Sequence, residues 1–187
     1  YAEATLGFSG VIHSIDEKDF LLFDLGGASI EISLVKNKKR VKSISIPIGA
    51  VTLTQKFDSS DKISSSQRKE MEEFISSQLH RISWLPKSGL PVIGIGGAVR
   101  NLAKMHQRKP GYPLPKLHNY RLPVKELFKM IDYLSRTSAH ERENISGLSE
   151  ERTDIIIAGS LVIEQLLELV NAEELIISGC GLREGVF

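Results

Sequence analysis

The hydrophobic rhythm of the chain changes between its first and second halves. Phe20, Leu21, Leu22 and Phe23 form a continuous apolar run that closes on Asp24 and a glycine pair, the pattern of a buried strand entering a tight turn. Ile30, Ile32 and Leu34 then alternate with Glu31, Ser33 and Val35. After a polar turn over 36–40, Val41, Ile44, Ile46 and Ile48 resume a strand pattern. These segments predict three antiparallel strands in a meander. From residue 66 the period lengthens: Met71, Phe74, Ile75, Leu79 and Ile82 predict an amphipathic helix over 66–84, with serines capping its start. Leu127, Phe128, Ile131 and Leu134 predict a helix over 124–136, and the apolar run from Ile155 to Leu169 predicts one long helix over 152–170. Short strands at 91–95 and 175–178 each stop at glycines, and a helix over 99–106 follows the first. Three prolines make 107–120 a loop. At the start, Ala4, Phe8, Val11, Ile12 and Ile15 fit a helical face over 2–15, although Gly7 and Gly10 weaken it. A terminal helix is expected after the last glycine turn.

Three strands followed by helices alternating with single strands make a mixed α/β sheet flanked by helices. An actin-like (ribonuclease H-like) domain has this order. Length supports one domain of 187 residues, and 41% hydrophobic with 25% charged residues is the balance of a soluble globular protein. Net charge is +1, from 24 basic and 23 acidic residues, so no global field exists to hold DNA or an anionic membrane, and any anion must be bound locally. The single Cys180 forms no internal disulfide, which fits a cytoplasmic protein. No apolar run is long enough to span a bilayer. The chain opens at Tyr1 without methionine, in what proves to be mid-motif, and is expected to be a piece of a longer protein.

Candidate chemistry concentrates at three strand ends. In FDLGGASIEI (23–32) an acid ends a buried strand, two glycines follow, and Glu31 comes seven residues after Asp24, so both carboxylates can face one mouth. Glycines at Gly26 and Gly27 permit positive φ and let backbone N–H groups approach a phosphate; Asp24 suits a magnesium ion, Glu31 its water shell, and Ser29 can donate its hydroxyl. An ordinary hairpin turn uses the same residues. GIGGAVR (94–100) sends a strand into Gly96, Gly97 and a helix N-terminus, where free N–H groups and Arg100 could meet an anion; a helix cap with a surface arginine reads identically. SGCGLREG (178–185) repeats the strand–glycine–helix pattern. Three such ends suggest one shared crevice.

Taken in order, FDLGGASIEI, IPIGAVTLTQKF, GIGGAVRNLAK, GLSEERTDIIIAGSLVI and ISGCGLREGVF resemble the motifs of the Ppx/GppA phosphatases, from about Glu3 to the last residue. The resemblance implies the second, actin-like half of a two-domain hydrolase of terminal phosphoryl groups from polyphosphate or pppGpp, with Mg2+ as cofactor. It places Glu3 as general base, Asp24 and Glu31 at the metal, and Gly26, Gly27, Ser29, Gly96, Gly97 and Arg100 at phosphate. Arg183, Glu184 and Gly185 match a terminal motif of structural role. By the same analogy the site lies in a cleft shared with a first domain absent from this chain, members are often homodimers, and the chain alone should fold but turn over little. Two departures stand out: Ala28 replaces a usual third glycine, and Thr5 an arginine. The alternative reading is a non-catalytic nucleotide or alarmone sensor of the actin-like superfamily; a sugar or acetate kinase relative ranks below both. His13, His80, His106, His118 and His140 lack metal-site spacing, Cys180 has no base nearby, Trp84 reads as core or helix end, and Lys36, Lys38, Lys39, Arg40 and Lys42 read as a solvated hairpin.

Overall fold

A computed structural model describes residues 10–12, 14–85, 89–108 and 116–179. Among them, β1 (Phe20–Leu25), β2 (Ile30–Lys36) and β3 (Lys39–Ile46) are the expected antiparallel meander. β4 (Val92–Gly96) lies parallel to β1, β5 (Tyr120–Pro123) forms the far edge, and β6 (Glu174–Ile177) sits between them, giving the order β3-β2-β1-β4-β6-β5. β1 reads as an unbroken apolar run because it is covered on both sides: Leu21, Phe23 and Leu25 face one core, Phe20 and Leu22 another.

The helices are α1 (Ala50–Phe57), α2 (Ser65–Leu79), α3 (Gly97–Gln107), α4 (Val124–Arg136), the short α5 (Ala139–Arg142) and α6 (Ile156–Val170). Leu53, Met71, Ile75, Leu102, Leu127 and Ile131 bring α1, α2, α3 and α4 into the same core as α6, which is the central helix and buried on almost every side. The opposite face is covered, within the described residues, by Val11 and Ile15. Small residues let three helix starts meet behind the end of β1: a Cβ on Gly159 of α6 would lie 3.1 Å from Ala98 Cβ of α3 and 3.3 Å from Ala50 Cβ of α1. α2 begins on a capping box, in which Ser64 Oγ accepts from the Gln67 amide and Gln67 Oε1 accepts from the Ser64 amide. Such a cap contributes about 1 kcal/mol.

Several expectations are corrected. α1 was not anticipated, because AVTLTQKF mixes β-branched and polar residues without a clear period; its start is fixed instead by contacts with the β1–β2 turn described below. β5 was not anticipated: it follows the expected loop over 107–120, sharing only Tyr120 with it, and four residues with one buried side chain, Leu122, carry too little pattern. The helix expected over 66–84 ends at Leu79, and Ile82 and Trp84 pack from the turns that follow. The long helix expected over 152–170 begins only at Ile156; before it a 3-10 turn (Glu150–Arg152) closes with i→i+3 hydrogen bonds from Arg152 to Ser149, Thr153 to Glu150 and Ile155 to Arg152. Of the helix expected over 2–15, residues 10–12 and 14 are helical and 1–9 lie outside the described residues, as does the expected terminal helix. No helix among the described residues is long and apolar enough to cross a membrane.

Candidate active site

Asp24 and Glu31 are Cα partners across the β1–β2 ladder. Partners in an antiparallel pair project their side chains from the same face, and alternation from Phe20 and Leu22 places both on the side covered by Val11 and Ile15, away from the helices. Both residues are half-buried. The connecting turn is closed by a hydrogen bond from the Gly26 amide to the Ser29 carbonyl, 3.0 Å.

What orients this turn is the start of α1. Ala50 N donates to the Gly26 carbonyl (3.1 Å), Val51 and Thr52 N to that of Gly27 (2.8 and 3.1 Å), and Gly49 N to that of Ala28 (3.1 Å). The Thr52 hydroxyl adds a further bond to Ala28 O at 3.1 Å. All peptides here are trans, and across a trans peptide the N–H points opposite to the C=O. With their carbonyls committed to α1, the peptides of 26–29 turn the amides of Gly27, Ala28 and Ser29 to the other side, where Asp24 and Glu31 project. The helix amides that might have bound an anion are consumed, and three loop amides are presented in their place. Gly49 makes this docking close: a Cβ there would lie 2.3 Å from Gly27 O and 2.4 Å from the Ala28 carbonyl carbon.

One expected reason for the glycines fails. Neither Gly26 nor Gly27 has a left-handed φ; the residue that does is Gly96, at φ 111°. Gly27 is limited by space, since a Cβ would meet Val51 Cγ2 at 3.1 Å, and Ala28 sits exposed without a positive φ, so its methyl imposes no backbone strain. At Gly96 both limits act together, because a Cβ would lie 2.4 Å from the Leu25 carbonyl oxygen.

The parallel register Asp24↔Ile95 and Leu25↔Gly96 sets the second glycine turn beside the first. Gly96 caps α3, whose positive end opens at this strand end. Ser178 N bonds to Gly94 O at 3.1 Å, so the end of β6 joins the same rim. Arg100 is exposed in the first turn of α3. A residue that sequence reasoning missed lies closer: the Arg152 guanidinium rests on Gly97, where a Cβ would be 2.1 Å from its Cζ and 2.2 Å from Nη2. Among the described residues this guanidinium has no acceptor. The signal was inside GLSEERTDIIIAGSLVI, but the expected helix over 152–170 put Arg152 on its axis instead of in a turn. Glu3, Cys180, Arg183, Glu184 and Gly185 lie outside the described residues.

The donor chemistry fits magnesium. No cluster of three His, Cys, Asp or Glu side chains occurs among the described residues, but magnesium keeps several waters and uses one or two carboxylates plus substrate phosphates. Asp24 and Glu31, opposed in the ladder, would suit that role. Elsewhere the titratable groups serve structure: Lys38 Nζ donates to the carbonyls of Ile12 (3.1 Å) and Ile15 (2.8 Å), so the hairpin read as solvated also clasps the segment over the sheet. His118 Nε2 lies 3.0 Å from Ser14 O, and His140 pairs with Glu143 at the surface.

The model of the Ppx/GppA phosphatase family matches residues 1–187, and the chain belongs to that family. A bifunctional 3-dehydroquinate synthase/phosphatase of Fusobacterium nucleatum is 28% identical over 183 residues, 94% of this chain and 27% of the relative. Exopolyphosphatase 1 of Mycobacterium leprae is 28% identical over 166 residues, 87% of this chain and 49% of its own length. The crystal structure of the Aquifex aeolicus Ppx/GppA phosphatase superposes with a TM-score of 0.88 at 29% identity, covering 99% of this chain and 61% of that one. The fold is therefore the actin-like one, and the chain spans about half or less of the curated relatives just described.

Proposed function

We propose that the protein containing this chain hydrolyses terminal phosphoryl groups of inorganic polyphosphate or pppGpp, and that this chain supplies one wall of the active cleft, a first domain supplying the other. The observation that carries the reading is the opposition of Asp24 and Glu31 in the ladder beside a turn whose Gly26, Gly27 and Ala28 carbonyls are committed to α1, which leaves the amides that follow them facing away from that helix. Phosphoryl transfer needs compensation of oxygen charge and an in-line nucleophile. The loop amides, the Ser29 hydroxyl and the start of α3 at Gly96 and Gly97 bind equatorial oxygens as preorganised dipoles, with no reorientation as charge develops. Arg100 and Arg152 add positive charge at the rim. Asp24 and Glu31 would hold Mg2+, which when bound would supply charge neutralisation to the phosphoryl oxygens. Glu3 orients the attacking water and takes its proton.

That last assignment is supported by the match of the whole chain, Glu3 included, to the family. Among the described residues no side chain selects a guanine base, so both substrates stand. A cytoplasmic setting and pairing of two copies accompany this reading. The test is phosphate release by the intact protein, with and without magnesium, from polyphosphate and pppGpp side by side. Glu3→Ala should lose at least about a hundredfold in kcat, the ordinary worth of a positioned base; wild-type turnover in that variant removes Glu3 from the mechanism.

A further inference from the structure

Two buried polar side chains fasten the turn that carries Arg152, and neither was anticipated as part of a site. Asn101, in α3 and 5% exposed, spends both ends of its amide: Nδ2 donates to the Gly97 carbonyl at 2.8 Å, and Oδ1 accepts from the Ser149 amide at 2.7 Å. Arg142 is wholly buried. Its Nε donates to the Thr153 carbonyl at 2.6 Å, Nη1 to that of Thr137 at 2.7 Å, and Nη2 to that of Ser60. A buried guanidinium is costly unless it is hydrogen-bonded, and here backbone carbonyls from three separate segments take one bond from each of its three nitrogens. Ser149 and Thr153 bracket Arg152, and the Thr153 amide closes the turn internally onto Glu150 O. Both ends of the turn are thus tied down, one of them to Gly97, the residue on which the Arg152 guanidinium lies.

We infer that Asn101 and Arg142 are positioning residues for the phosphate site, fixing the 149–153 turn so that Arg152 is held over the start of α3. The inference rests on the hydrolase reading above. A charge-assisted contact depends steeply on placement, and a shift of about 1 Å at a reacting centre can cost on the order of a hundredfold. Neither residue need touch substrate. Asn101 is the sharper of the two, because its roles need one donor and one acceptor on a short planar group: Asp keeps only the acceptor and Leu keeps neither.

A double-mutant cycle on the intact protein tests this, read as KM and kcat for whichever of polyphosphate and pppGpp the wild type hydrolyses, with melting temperature followed in parallel. Arg152→Met should raise KM on the order of tenfold, the loss of one charge-assisted contact. Asn101→Leu should do nearly the same, and Asn101→Leu with Arg152→Met should be no worse than Arg152→Met alone, because the first acts only through the second. Asn101→Asp should fall between wild type and Asn101→Leu. Arg142→Lys, chosen because Arg142→Met could unfold the chain, should likewise lose its KM effect in the Arg152→Met background. Independent, multiplying effects in the double variants would show the clamps to be merely structural and overturn the inference while leaving the hydrolase intact. An unchanged KM in Arg152→Met would overturn it too, by removing Arg152 from the site. A wild type that releases phosphate from neither substrate overturns the functional reading, and this inference with it.

Discussion

Glu164 shows how a single side chain can set a property of the whole domain. It lies in α6, 5% exposed, and burial pushes its carboxyl up to about 7 against the pull of Arg68, with Glu72 and Glu168 adding to the rise. Arg68 Nη2 is 2.8 Å from Glu164 Oε2, but the same guanidinium also serves Glu72 at 2.6 Å and Asp132 at 3.4 Å. One cation shared among three acids does not fully compensate any of them. Below about pH 4.5 the Glu164 carboxyl is protonated whether the chain is folded or not; between there and about 7 only the folded chain keeps the proton. Stability therefore falls as pH rises through that window and levels off above it, by on the order of 1–3 kcal/mol. Denaturant melts from pH 4 to 8 should show the fall, and Glu164→Gln should flatten it; an unchanged profile in the variant would place the proton elsewhere. At this scale the sequence was legible where chemistry and strand period coincide, as at Asp24 and Glu31, seven apart and opposed in the ladder. It was illegible at Arg152, Asn101 and Arg142, each of which meets backbone that is distant in the chain: Gly97, Ser149 and Ser60 respectively.

Elements divided along the same line. The meander, α2 and α4 repeat their period often enough to be read directly, and α4 matches residue for residue because four buried or half-buried apolar positions recur on one face. α1 has no such signature; it is a helix because its first amides close on the carbonyls of Gly26, Gly27 and Ala28. The glycine that mattered most for the cradle was accordingly Gly49, which lies outside the turn it serves. Gly49→Ala would force its Cβ into the Gly27 and Ala28 carbonyls. Overpacking of this kind costs about 1–3 kcal/mol, and because the obstacle is backbone, the turn itself must move. The expected outcome is a chain that still folds, seen by an intact but weaker unfolding transition, with KM raised more than the lost stability alone explains. Loss of stability with an unchanged KM would mean that the loop amides do not bind substrate.

The whole molecule is a sheet with helices packed on one face and, among the described residues, a single short segment on the other. That asymmetry sets Asp24 and Glu31 on the face opposite α1–α6, half-buried on the side that carries Val11 and Ile15. The order of elements was predicted well enough to name the architecture, because strand-then-helix alternation survives errors of a few residues at every boundary. The convergence of two glycine turns was also foreseeable in outline, since parallel β1 and β4 must end on the same side of the sheet. Which face each strand turns to the helices was not, for that depends on register.

Register also governs the rim of the sheet. β3 is exposed along nearly its whole length, with Val41 at 52% and Ile44 at 38%. The ladder slips between Leu34 and Val35, so that Lys42 pairs with Leu34 and Lys39 with Lys36, leaving Val41 as the extra residue. Strict alternation would send Lys39 and Lys42 to opposite sides; the bulge returns both to one side, along with Lys36. Among the described residues the outer edge of this eight-residue strand has no partner strand, an invitation to fibrillar stacking, and a second copy approaching this border meets a row of like charges on a kinked ribbon. Replacing Lys39 and Lys42 together by threonine, which favours strands and carries no charge, should convert a border that repels its own kind into an adhesive one, visible as concentration-dependent growth in sedimentation velocity while the parent sequence stays discrete.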